Sequence, residues 1–394
     1  MLTQVRSQSF PLFNLGFRPF FLGASVFAVL SVCMWLAVYI LHFPLPVDTL
    51  TMYQWHAHEM IYGYSLAVIA GFLLTAVKNW TGIQTIHGWI LAGVFVLWVI
   101  ARLLYFTGTK FIGIAAFFDL AFVFLLIIAV TQPVFQAKDW RRLGILSKLL
   151  LLAAGNTSFY MGVNGLLPHG VYWGIYGGLY LVISTILLMG GKVIPFFIER
   201  GVGYPVQLYN PRGLMLASLL LFLLFFIVEV FIPGHRISAY LATCLFIINS
   251  VRLAGWHTPG IWKKPLLWGL YTSYLFIDIG FLLFALSAFT DVSRFLALHA
   301  FAYGGIGIIT GSMMARVALG HTGRDVNNPP AVIAFSLLAL IAGTFVRVGL
   351  PLVAMDHYVT WIAISQILWI AAFLLFATVY VPMLIRPRVD GQSG

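Results

Sequence analysis

Apolar positions along this chain come in long unbroken blocks, without the alternation of a half-buried strand or the single stripe of a surface helix. Each block is close to the ~20 residues needed to cross the ~30 Å hydrocarbon layer of a bilayer. Twelve blocks predict twelve membrane-spanning helices, over approximately residues 20–42, 56–77, 87–107, 112–135, 146–166, 171–194, 212–232, 237–255, 265–288, 294–319, 330–350 and 358–385. Short polar joints separate them, many marked by proline, as at Pro44, Pro46, Pro133, Pro168, Pro195, Pro205, Pro265, Pro329 and Pro330. The expected fold is all-α, one polytopic membrane domain over residues 1–394 with no sizeable soluble part.

Composition agrees. The chain is 61% hydrophobic and 8% charged, a balance that no soluble domain carries. The first apolar run lacks a small-residue cleavage site and reads as a span, not a removable signal. A net charge of +11 is spread over short loops, so it is no nucleic-acid footprint. With the N-terminus inside, the inner ends hold Arg6, Arg18, Lys78, Lys138, Arg141, Arg142, Lys148, Lys192, Arg200, Arg212, Arg252, Lys263, Lys264, Arg316, Arg324, Arg386 and Arg388. The outer ends hold Arg102, Lys110, Arg236, Arg294 and Arg347. The positive-inside rule then puts both termini in the cytoplasm. The two cysteines, Cys33 and Cys244, fall within spans, which excludes a thiolate cluster or a covalently attached c-type haem.

Chemistry concentrates at the outer mouth of the second span, in Trp55-His56-Ala57-His58-Glu59-Met60. Imidazoles and a carboxylate at the edge of hydrocarbon are costly to desolvate and point to a function. His299 opens the tenth span similarly. Laying the second span on the tenth with His58 on His299 also matches Tyr62 with Tyr303, Gly63 with Gly304, and Thr81-Gly82 with Thr322-Gly323. The sixth span gives a fainter echo, with Tyr176-Gly177 in the Tyr-Gly slot. Spans four apart cross in one direction, so the pattern suggests three pseudo-symmetric four-helix units about an axis normal to the membrane. His58 and His299 then present neutral imidazoles at one depth, the arrangement that fills both axial positions of a b-type haem. Tyr62 and Tyr303 lie one turn below on the same face, and Gly63 and Gly304 would leave room for the macrocycle. The plainer readings are an aromatic belt for the tyrosines and helix packing for the glycines.

His56 and His58 point about 200° apart on a helix. His56, on a face shared with Glu59, could therefore serve copper or a proton path, with His42, His169 and His357 as further outer-side imidazoles. For Glu59 the alternative is a carboxylate held by the helix dipole. His321 lies far beyond His299, roughly 33 Å along a helix, and either binds a separate metal or organises its Gly-rich turn. Lys192 reads as snorkelling near Pro195, which should stop the sixth span. Asp119 and Asp278 are intramembrane carboxylates suited to a proton relay. Arg102, Arg252 and Arg347 lie near enough to span ends to snorkel.

The blocks Asn14-Leu-Gly-Phe-Arg18-Pro-Phe-Phe21, Trp55–Met60, Ala70–Ala76 with Asn79–Gly82, Gly190-Gly-Lys-Val-Ile-Pro-Phe-Phe197, and Leu298-His-Ala300 through Met314-Ala-Arg316 to Gly320–Arg324 resemble the NnrS family. The resemblance covers nearly the whole chain. It implies a bacterial inner-membrane protein of the nitric oxide response, containing haem and copper, acting with nitric oxide as small-molecule ligand and an unidentified electron donor. The family's histidine-bearing blocks match at His56, His58, His299 and His321. A histidine expected early in the ninth span is missing from Leu270-Tyr-Thr-Ser-Tyr274. A looser likeness, to haem–copper oxidase cores, again places a bis-histidine haem between spans two and ten, although the sixth and seventh spans here have no histidine for that core's copper site. Two other classes stay open: a proton-coupled secondary transporter using Asp119 and Asp278, and a non-catalytic partner in metal or haem delivery.

Overall fold

The structure, a computed structural model, describes residues 11–43, 50–105 and 111–392. Arg6, Pro44, Pro46, Lys110 and the far end of the expected third span lie outside the described residues. Among the described residues there are helices and turns but no strand. The long helices are α1 (Phe17–Tyr39), α2 (Met52–Thr81), α3 (Gly88–Leu104), α4 (Ile112–Gln136), α5 (Trp140–Val163), α6 (Gly170–Gly201), α7 (Arg212–Phe231), α8 (Arg236–Trp256), α9 (Pro265–Ser287), α10 (Arg294–His321), α11 (Ala331–Leu352) and α12 (Met355–Ile385). Eleven are long and apolar enough to cross a membrane, and the 17-residue α3 is the shorter apolar member. All twelve expected spans are thus found as helices. Twelve crossings put the chain ends on one face, and the opposite face is called distal below.

The centre of the bundle is built from α2, α6 and α10. The fraction buried is 83% for α2, 72% for α10 and 61% for α6, with α9, packed against α6 and α10, also 72% buried, against 28% for α7 and 33% for α12. Each central helix widens to π geometry near its distal end, at Glu59–Ser65, Trp173–Gly177 and Ala300–Gly307. With His58 set on His299 and Tyr62 on Tyr176, the three π segments begin at one register position. The shared start strengthens the fainter match of the sixth helix and supports three parallel units, although α11 also has a π segment, at Phe345–Gly349. A π turn frees carbonyls from the usual ladder, and here neighbours use them: Trp98 Nε1 donates to Gly63 O at 3.0 Å and Ser65 Oγ to Met60 O at 2.7 Å. The central helices touch directly, with Tyr64 OH 2.6 Å from Thr310 Oγ1.

Small residues set the closest crossings, as expected where lipid supplies no hydrophobic drive between helices. At the distal end of α5 and α6, Gly162 meets the backbone of Gly170 and Val171, and Gly174 meets that of Gly155. Two prolines expected at joints, Pro133 and Pro195, sit inside helices instead. At Pro195 the cause is visible. Its missing N–H would strand Gly191 O one turn back, and Asn210 Nδ2 donates to that carbonyl at 3.0 Å. Arg18 joins the first helix to the last. It is fully buried and donates to Leu384 O and Arg386 O, both at 2.8 Å, carbonyls that the end of α12 leaves without helical partners.

Candidate functional site at the distal ends of the central helices

A capping box starts α2: Thr51 Oγ1 accepts from Gln54 N at 3.3 Å, and Gln54 Oε1 accepts from Thr51 N at 2.9 Å. Fixing that start fixes the faces of the next turn, and His56 and His58 turn to different neighbours.

His58 is fully buried in a polar cluster between α2, α3, α4 and α5. Its Nδ1 lies 2.9 Å from Glu59 Oε1 and its Nε2 lies 2.9 Å from Asn156 Oδ1. Asp119 accepts from Arg102 Nη2 at 2.5 Å, Asn156 Nδ2 at 2.9 Å and Tyr160 OH at 3.0 Å. Arg102 Nη1 also donates to Glu59 Oε1 at 3.0 Å. Tyr105 donates to Tyr160 at 2.8 Å, and the Phe159 ring lies 4.2 Å from that of His58. Hydrogen-bond bookkeeping fixes much of the chemistry. Three donors on Asp119 orient the Asn156 amide, so its oxygen faces His58 and Nε2 carries a proton. Glu59 and Nδ1 share one more. Whether that proton rests on the ring or the carboxyl, no lone pair of His58 is free. With it, one arginine and two carboxylates sum to no net charge.

His56 turns the other way. Its ring stacks on Trp35 of α1, centroids 4.6 Å apart and planes 9° from parallel. Its Nδ1 is buried without a partner. His56 and His299 lie within electrostatic reach of each other, and both within reach of Arg347. His299 donates from Nδ1 to Phe295 O at 2.7 Å, which leaves Nε2 as acceptor, 3.1 Å from Arg347 Nη2. Arg347 Nη1 donates to Tyr358 OH at 2.9 Å. His56 thus turns away from the His58 cluster, and His58 and His299 are held by separate sets of partners.

The other site residues read from the sequence fall as follows. Glu59 joins His58 and Arg102, away from His56, at the residue where π geometry begins. Tyr62 OH donates to Gly174 O and Tyr303 OH to Ser365 O, each at 2.7 Å; both tyrosines are buried and neither lies in an interfacial belt. A Cβ at Gly63 would meet Phe27 and Arg102, and one at Gly304 would meet Phe276 and Thr344, so both glycines serve close packing. His321 ends α10 beside the Phe17 ring, its carbonyl accepting from Arg388 at 3.1 Å. His42, His169 and His357 are exposed. Asp278 accepts from Ser250 at 2.6 Å. Among the described residues no three of His, Cys, Asp and Glu form a group that could hold a metal ion.

Arg102, Arg252 and Arg347 do not snorkel. They are 3%, 0% and 7% exposed, because each finds hydrogen-bond acceptors inside the bundle: two carboxylates for Arg102, Asn249 and Tyr274 for Arg252, His299 and Tyr358 for Arg347. Asn156, Tyr105, Tyr160 and Arg347 escaped sequence reasoning as site residues. Asn156, an amide in the middle of the apolar fifth span, carried the available signal.

A haem ligand needs a neutral imidazole with one exposed lone pair. Both ring nitrogens of His58 are taken, by Glu59 and Asn156. His299 has a carbonyl on Nδ1–H, the usual outer-shell support for an Nε2 ligand, and its Nε2 is occupied by Arg347 Nη2, a single bond that a metal would have to displace. The family model for the NnrS protein matches residues 11–388, and the chain belongs to the NnrS family. No curated protein matches it.

Proposed function

From membership in that family, which supports a role in the nitric oxide response, we propose that this is a haem protein of the bacterial inner membrane whose iron is anchored by His299. The observation that carries the reading is the His299 ring: its tautomer is set by Phe295 O, and its Nε2 makes one bond, to Arg347 Nη2, that an iron would replace. His56, with buried Nδ1 unpartnered and its ring clamped on Trp35, is the imidazole best supported as second ligand. The alternative partner, His58, would first have to give up a bond to Glu59 or Asn156. When bound, the haem supplies a centre that binds nitric oxide and takes part in one-electron chemistry. Nitric oxide, small and apolar, reaches such a centre through lipid. Copper enters as a family-level expectation only.

We place the chain ends in the cytoplasm and the histidine cluster towards the periplasm. The charge asymmetry supports this more strongly than a bare count does, since Arg102, Arg294 and Arg347 on the sparse side are committed to buried partners.

The test is the absorption spectrum of purified protein with its variants. A Soret band lost in H299A and H56A but kept in H58A supports the reading. A band lost in H58A and kept in H56A restores the His58–His299 pair, and colourless wild-type protein from haem-replete cells removes the haem altogether. Proton-coupled uptake into proteoliposomes, abolished by D278N, would favour a transporter.

A further inference from the structure

Arg102 and Arg347 stand at matching places, each near the distal end of the third helix of its unit: Arg102 reaches Glu59, the first residue of the π segment of α2, and Arg347 reaches His299, the residue before that of α10. Their surroundings differ in one respect. Arg102 lies between the carboxylates of Glu59 and Asp119. The register position of Glu59 in α10 is Ala300, and Arg347 pairs with no carboxylate among the described residues. Its partners there are neutral, the Tyr358 hydroxyl and the His299 ring. A guanidinium 7% exposed, at membrane depth, with only neutral acceptors, is an unbalanced charge. The Nδ1 of His56, on the distal turn of α2, is buried without a partner.

We infer that Arg347 anchors an anion site beside His299, made for a planar two-oxygen monoanion, a carboxylate or nitrite. The guanidinium fork matches two oxygens in one plane, which an ammonium or a spherical anion does not. Arg347 Nη2 now bonds a neutral imidazole and would exchange that bond for a stronger charge-assisted one. His56 supplies a third contact from a ring that Trp35 already holds still. The anion takes the part that Glu59 and Asp119 play for Arg102. Two sources share this chemistry: a free small anion, and a carboxylate side arm of a bound porphyrin. The site goes beyond the haem reading and does not require it.

The experiment is calorimetric titration of nitrite and of acetate into detergent-solubilised protein prepared haem-free from haem-deficient cells, then into haem-replete protein. The haem-free protein should bind both anions saturably and bind chloride at least tenfold more weakly. R347Q should lose binding tenfold or more, R347K should weaken it while keeping the charge, and H56A should weaken it several-fold. R388Q, altered in the tail, should bind as wild type. Binding lost on haem loading names the porphyrin carboxylate as the resident anion, and binding retained names a free one. No saturable binding to haem-free wild type, or equal binding by R347K and wild type, overturns the site. Neither result depends on a Soret band, so the haem reading stands or falls separately.

Discussion

Replacing Asp119 by Asn tests the polar cluster at its most connected atom pair. The substitution keeps shape and removes charge. Asp119 accepts from Arg102 on one oxygen and from Asn156 and Tyr160 on the other. An amide must put its nitrogen in place of one oxygen, so a donor faces a donor whichever way it turns. One buried donor left unpaired costs about 1–3 kcal/mol, and breaking a buried ion pair from one side costs about 3–5 kcal/mol. Glu59 still holds Arg102, which places D119N near the lower end of that range, about 3 kcal/mol. Reversible SDS titration in mixed micelles, followed by circular dichroism, reads the loss. The triple variant E59Q/R102M/D119N removes all three charges together and should recover part of it. D119N unfolding within scatter of wild type, or a triple variant less stable than D119N, would refute the bookkeeping.

Other consequences follow from particular contacts. Gly162→Ala puts a methyl against the backbone of Gly170 and Val171, which cannot step aside, so α5 and α6 should separate at a cost of about 1–3 kcal/mol, measured in the same titration. Asn210→Ala leaves Gly191 O without a partner below Pro195, about 1–3 kcal/mol, and faster amide exchange in the last turns of α6 should report it. In the C-terminal tail, hydrogen bonds from Arg388 hold the Asp390 carboxyl down at about 2. A lowered carboxyl value stabilises the folded form above the ordinary value of 3.8, and that contribution goes as pH falls through about 2. Protection of the Val389 amide, which donates to Thr322 O at 3.1 Å, measured against its intrinsic exchange rate at each pH, should hold from neutral pH to about 4 and fall only below it.

The bundle was legible because hydrocarbon imposes a simple code. Block length alone located twelve helices, missing most ends by only a few residues. The interior was less legible because polar residues there are explained only by their partners. Arg102 and Arg347 look alike in sequence, each a lone cation near a helix end, and nothing local says that Asp119 waits for one and not the other. His56 and His58 were correctly separated by helical geometry, yet their neighbours depend on Trp35 and Asn156, residues from spans one and five. The register of the repeat was readable between the second and tenth helices, where His, Tyr and Gly coincide. In the sixth it rested on Tyr176-Gly177, and the shared start of the π segments, a backbone property with no single-residue signature, strengthens it.

Arg18 bears on how the protein is assembled. The carbonyls that accept from it, Leu384 O and Arg386 O, are made only after the other eleven helices. Until the twelfth crossing is inserted, the opening crossing carries a cation that has nowhere to settle. A chain cut short would hold that charge at the rim of an unclosed ring of helices, a mark by which a membrane protease could tell unfinished molecules from complete ones.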